Sequence, residues 1–215
     1  RTVLYVSHNM NTIRQLCDRC IVLDKGRVVF EGDVERAIEI YLGTIGKPRS
    51  SYVYLPEHRT DRRSGNLFIM RELHVVGKDA PQYYCGETAL FELKCEVCRH
   101  WENVGFRFEL QYQDGSKVGT MLSAQTVDFE PSKENIVSLQ VETAHLAPGR
   151  YRADVVAYAY NEFGAEQFLD GVYPGLILEI TDMINEDNKL TWLHQYWGHV
   201  HLHDIVVEKT LRKGS

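Results

Sequence analysis

The chain has 215 residues, 44% of them hydrophobic, with 24 Lys+Arg against 30 Asp+Glu and a formal net charge of -6, enough for one ordinary domain or two small ones. The acidic balance excludes the broad positive field that gathers the phosphates of a nucleic acid, and no apolar run reaches the roughly 18 to 20 residues of a membrane-spanning helix. Five cysteines form an odd, sparse set that reads as reduced thiols and not as a disulfide framework. With no basic-then-apolar leader, the sequence reads as cytosolic. Its start at Arg1, directly before an apolar run, reads as a cut from something longer.

Residues 3 to 42 alternate strand and helix signals. Val3-Leu4-Tyr5-Val6 is apolar on both faces, as in a covered parallel strand. Ser7 can cap a helix from about Asn9 to Cys17, where Met10, Ile13, Leu16 and Cys17 recur at helical spacing. Cys20 to Leu23 is a second strand, Asp24-Lys25-Gly26 a tight turn and Arg27 to Phe30 a third strand. Gly32-Asp33 opens a helix with Val34, Ala37, Ile38 and Tyr41 on its apolar side. Such an α/β piece is too small to cover its own strands.

From Gly43 to Gly65 the periodicity stops, and Lys47-Pro48-Arg49-Ser50-Ser51 and His58 to Ser64 read as linker. Beyond it, strand signals repeat over 67–76, 88–97, 104–113, 117–122, 136–142, 150–160, 165–169, 175–180 and 200–208, which predicts an antiparallel sandwich. The division is therefore 1–45, a linker over 46–65, and a β-sandwich over 66–210. The fold class is mainly β, with a short α/β segment ahead of the sandwich.

The run Val3-Leu4-Tyr5-Val6-Ser7-His8-Asn9-Met10, with Leu16-Cys17-Asp18-Arg19, Ile21-Val22-Leu23, Lys25-Gly26 and Gly32, resembles the end of an ABC-transporter nucleotide-binding domain. The resemblance implies that His8 is the switch histidine, which touches the γ-phosphate of ATP and helps to position water and Mg²⁺. The phosphate-cradling Gly-x-x-x-x-Gly-Lys-Ser/Thr loop, the signature motif and the Mg²⁺-holding acid are not in the sequence. This chain by itself therefore reads as no enzyme and as holding no cofactor, whereas an intact parent subunit would use ATP and Mg²⁺. ABC subunits that continue through a polar linker into a β-sandwich resemble the polysaccharide-exporting, Wzt-type subfamily that serves O-antigen export. That resemblance implies an immunoglobulin-like sandwich that binds finished glycan, a membrane-spanning transporter partner, a homodimer, and a place on the cytoplasmic face of the bacterial inner membrane.

Period-2 alternation selects a face for such a ligand. In 104–113, Phe106, Phe108, Leu110 and Tyr112 point one way and Arg107, Glu109, Gln111 and Gln113 the other; in 150–160, Tyr151, Ala153, Val155, Ala157 and Ala159 oppose Arg152, Asp154, Val156, Tyr158 and Tyr160. If the two strands are neighbours, Arg107, Gln111, Arg152, Asp154, Tyr158 and Tyr160 offer hydrogen-bonding groups beside flat rings, the combination a sugar asks for. Arginine would add affinity for a phosphate or carboxylate on the glycan. On this reading Tyr158→Ala weakens binding without unfolding the domain, while Tyr151→Ala unfolds it. Trp101, Trp192 and Trp197 are further stacking candidates. In the expected homodimer the sandwich could exchange strand 200–208 between copies; the alternative function is a sandwich that only dimerises or docks, without binding glycan. Cys17-x-x-Cys20 and Cys95-x-x-Cys98 have zinc-like spacing but fall in different domains. His199, His201 and His203 share one side of an extended strand, with His194 nearby. Nothing fixes Asp182, Glu186 and Asp187 as a hydrolytic pair.

Overall fold

The computed structural model describes residues 3–6, 10–24, 26–43, 48–59, 66–183 and 192–202. Helix α1 (Met10–Leu16) leads into a hairpin of β1 (Cys20–Asp24) and β2 (Arg27–Gly32), followed by helix α2 (Val34–Gly43). Gly26, at φ +77°, takes the left-handed turn position between the strands. The Arg36 N–H donates to Asp33 Oδ1 at 2.9 Å, capping α2. Ile13 and Ile38 centre a small cluster with Cys17, Cys20, Val34 and Tyr41. Val3, Leu4, Val6, Ile21, Leu23, Val28 and Val29 stay exposed. Residues 3–6 form no strand, unlike the sequence expectation; among the described residues nothing lies beside them to complete a ladder.

The rest is two facing sheets. The first contains β3 (Ser51–Val53), β4 (Phe68–Val75), β6 (Thr88–Val97) and β10 (Ser132–Glu142), in the order β10-β6-β4-β3. The second contains β5 (Gln82–Cys85), β7 (Trp101–Tyr112), β8 (Lys117–Leu122), β11 (Gly149–Tyr160) and β12 (Glu166–Met183), in the order β5-β12-β11-β7-β8, with β9 (Val127–Phe129) on β7. Pairing is antiparallel except between β5 and β12. The inward residues predicted from alternation, among them Phe106, Phe108, Leu110, Tyr151 and Val155, form one core with Phe91 and Leu93 of β6. Phe91 and Phe108 meet edge to face across the sheets at 6.0 Å.

This is the antiparallel sandwich that the alternation predicts, of the immunoglobulin-like kind that the resemblance implies. Its corner is tied by Tyr151, at the start of β11, whose hydroxyl donates to Ala147 O at 2.5 Å and reaches His199 O at 3.1 Å. The same device recurs at this corner of the fold.

Three further expectations change. The linker gives way to structure over 51–59: β3 pairs with β4, Pro56–His58 form a 3-10 turn, and Arg59 is fastened into the sandwich. Its Nε lies 3.0 Å from Asp170 Oδ1 in β12, while its other nitrogens hold the carbonyls of Tyr54, Leu55 and Met70. Second, 165–169 and 175–180 are one strand, β12, that runs on through register irregularities. Third, of the expected strand 200–208, Val200 makes a single bridge to Leu146, and 203–208 lie outside the described residues.

Candidate functional site

Strands β7 and β11 are neighbours in register, with Gly105 opposite Tyr158, Arg107 opposite Val156, Glu109 opposite Asp154 and Gln111 opposite Arg152. The six candidates therefore share the outer face of the second sheet. Arg107 is the hub: its Nε lies 2.8 Å from Glu109 and its Nη1 2.6 Å from Glu166 in β12. Burial acts to lower the pKa of this guanidinium, but its bonds to Glu166 and Glu109 outweigh burial and leave it raised. Arg152 Nη2 and Gln111 Nε2 each reach Asp154 Oδ2 at 3.2 Å. Burial pushes the Asp154 carboxyl above the ordinary range, against the pull of Arg152.

Two of the six are not open to a ligand. Asp154 is 2% exposed and Tyr158 4%, which corrects the expectation that both offer their groups to a sugar. For Tyr158 the cause is glycine in the neighbouring strands. A Cβ on Gly105 would fall 2.5 Å from the Tyr158 ring, so that ring lies flat on bare backbone. A Cβ on Gly171, the partner of Val156, would meet the rings of Tyr173 and Phe168 at 2.8 and 2.9 Å. Tyr158, Tyr173 and Phe168 thus make an aromatic layer outside the sheet, and Arg107 sits over Tyr158 at 5.8 Å. Tyr160 is 51% exposed and packs edge to face on Tyr158 at 5.6 Å. Sequence reasoning missed Tyr173, Phe168 and Glu166; the glycines at 105 and 171, inside strand patterns, were the available signal.

The other candidates separate. His8 lies outside the described residues, as do His203, Glu186, Asp187 and the side chain of Asp182. Trp101 is buried, with Arg99 3.8 Å above its ring. Trp192 donates to Gly198 O at 2.8 Å and packs on Trp197, which stays partly exposed. Cys17, Cys20, Cys85, Cys95 and Cys98 are free thiols, and burial raises the Cys95 thiol far out of its ordinary range. His194 and His199, flanking helix α3 (His194–Trp197), stack on Tyr112 at 4.3 and 4.1 Å, their Nδ1 atoms 3.0 Å apart. Among the described residues no group of three or more His, Cys, Asp or Glu is placed to hold a metal ion.

No family model matches the chain. It is 49% identical over 41 residues to the methionine import ATP-binding protein MetN of Caulobacter vibrioides, a match covering 19% of this chain and 11% of that protein. It is 45% identical over 40 residues to the O-antigen export system ATP-binding protein RfbB of Klebsiella pneumoniae, covering 19% and 16%. A longer match, to MetN 2 of Pectobacterium atrosepticum, is 25% identical over 151 residues, 67% of this chain and 41% of that one. The chain thus spans a minor part of these relatives' length. Among solved structures, the crystal structure of the C-terminal domain of wzt aligns with a TM-score of 0.49 at 15% identity, covering 65% of this chain and 91% of that one. No described helix is long and apolar enough to cross a membrane.

Proposed function

We propose that this chain is the carboxy-terminal part of the ATP-binding subunit of a polysaccharide ABC exporter, and that its sandwich recognises the glycan to be moved. The subunit assignment draws on the 40-residue likeness to ATP-binding proteins, one of them named for O-antigen export, and on the motif run around His8. It accords with the exposed apolar residues at 3–6 and on β1 and β2, which are suited to burial under further strands and helices of a larger sheet. In the intact protein ATP and Mg²⁺ would act upstream of the sandwich, a membrane-spanning subunit would be the partner, and two copies would work as a dimer on the cytoplasmic face of the inner membrane.

The glycan assignment is carried by one observation: the outer face of β7, β11 and β12 joins ion-paired planar groups, Arg107 with Glu109 and Glu166 and Arg152 with Asp154, to a layer of rings. Sugars combine apolar C–H faces with directional hydroxyls, and such a surface offers partners to both. Titrating the chain with the exported polysaccharide of its own cell should give saturable binding that is lost in Arg107→Ala. If the polysaccharide binds equally well to that variant, this face is not the site. If no binding occurs while the chain associates with the export machinery, the sandwich is a docking module.

A further inference from the structure

Beside the ion-paired face, the hairpin joining β11 to β12 holds a phenylalanine in water. Phe163 is 85% exposed, yet its loop is well tied. Asn161 Oδ1 accepts from the N–H groups of Phe163 and Ala165 at 3.0 and 2.9 Å, and Asn161 and Ala165 close the hairpin through backbone at 3.0 Å. Gly164, at φ +74°, supplies the left-handed turn that such a short loop requires. With Tyr160, 51% exposed, Phe163 gives this tied hairpin two exposed rings within four residues, beside the charged groups of the sheet face, and apolar surface rimmed by polar groups is what marks a binding site. Tyr160 ends β11 three residues before Phe163, and its partner across the ladder is Glu166. Glu166 and Glu109 both accept from Arg107.

Resting on the glycan reading above, we propose that this hairpin tip is where the sugar is gripped, and that it takes an uncharged pyranose and not a phosphate- or carboxylate-bearing one. Phe163 and Tyr160 supply two rings for the C–H faces. Glu166 and Glu109, fixed in orientation by one shared guanidinium, leave oxygen lone pairs for vicinal hydroxyls. The trio carries two negative charges against one positive. Arg107 has its Nε and Nη1 committed to carboxylates, so an arriving anion meets like charge in place of an open guanidinium fork.

The test is a glycan array containing neutral, sialylated, uronate-bearing and phosphorylated oligosaccharides, probed with the 215-residue chain and its variants. Neutral glycans should dominate; Phe163→Ala, at an exposed tip that folding does not need, should weaken them about 10-fold, and Phe163→Trp should retain them. Preference for phosphorylated or uronate-bearing glycans overturns the charge argument. Neutral binding that survives both Phe163→Ala and Tyr160→Ala within two-fold overturns the location while leaving glycan recognition intact. An array with no glycan bound removes the recognition reading itself, and this inference with it.

Discussion

Tyr158 and Tyr151 lie in one strand on opposite sides of the sheet, and alternation assigns them opposite fates, one at a binding surface and one in the core. The structure keeps the sides but changes the consequence. Because Gly105 has no side chain, the Tyr158 ring drops onto the neighbouring backbone and is buried outside the sheet. Tyr158→Ala should therefore cost about 3 kcal/mol of stability, the range for truncating a buried aromatic, and chemical denaturation should read it as a lower midpoint at unchanged slope. A midpoint matching the unsubstituted chain would mean that the ring is not packed. Tyr151→Ala should cost as much or more. Tyr151→Phe should cost about 1 to 2 kcal/mol, because it strips a hydroxyl from two carbonyls at the corner. The side on which each residue lies was legible from period 2 alone. Its exposure was not, since that depends on which residue the next strand places opposite, and Phe163, in a segment that reads only as a turn, carries no periodicity at all.

At the scale of elements, strand β6 was legible at its stated bounds because five apolar residues alternate without interruption. Strands β3, β5 and β9 were not, since three or four residues are too few to show a period. Strand β12 reads as two pieces because Gly171, Pro174 and Gly175 punctuate it, although its neighbours carry it through. Residues 192–199 show no readable period, and the hold of segment 192–202 on the sandwich is chemical. Pro148 O can only accept, so His194 Nε2, 2.6 Å away, must carry the proton. The neutral His194 Nδ1 then accepts from His199 Nδ1–H. Burial lowers both pKa values from the ordinary 6.5; Asp114 works against this, while Arg14 adds to the lowering. A lowered histidine pKa means that the folded state prefers the neutral rings. Their contribution is complete above pH 6.5 and is lost as pH falls below that value through the depressed ones. Amide exchange at His201, whose N–H donates to His145 O, should accelerate below pH 6.5 beyond the intrinsic trend. His199→Phe, which keeps a ring on Tyr112, should flatten that response. An unchanged pH dependence in the variant would remove the pair as its cause.

For the whole molecule, two boundaries have consequences. The sequence carries the motif run around His8 without a phosphate loop, so the purified 215-residue chain should release no phosphate from ATP above background. Turnover abolished by His8→Ala would overturn that. The second boundary concerns where the sandwich begins. Composition places it near residue 66, after a polar stretch, yet Tyr54 is buried in the core and bonds Gly175 O at 2.9 Å. Arg59 neutralises Asp170, whose Oδ2 also accepts the Met70 N–H at 2.8 Å and so bridges the two sheets. A chain starting at residue 66 loses β3 and Tyr54 and strands the Asp170 carboxylate in the interior, where an unpaired charge typically costs about 3 to 5 kcal/mol. A chain starting at residue 48 keeps all three. Thermal unfolding should therefore find the shorter chain lower by about 10 °C or more, and Arg59→Ala in the longer chain should reproduce most of that loss. Equal midpoints for the two chains would show that residues 48–59 only lie against the sandwich and that composition had drawn the boundary correctly.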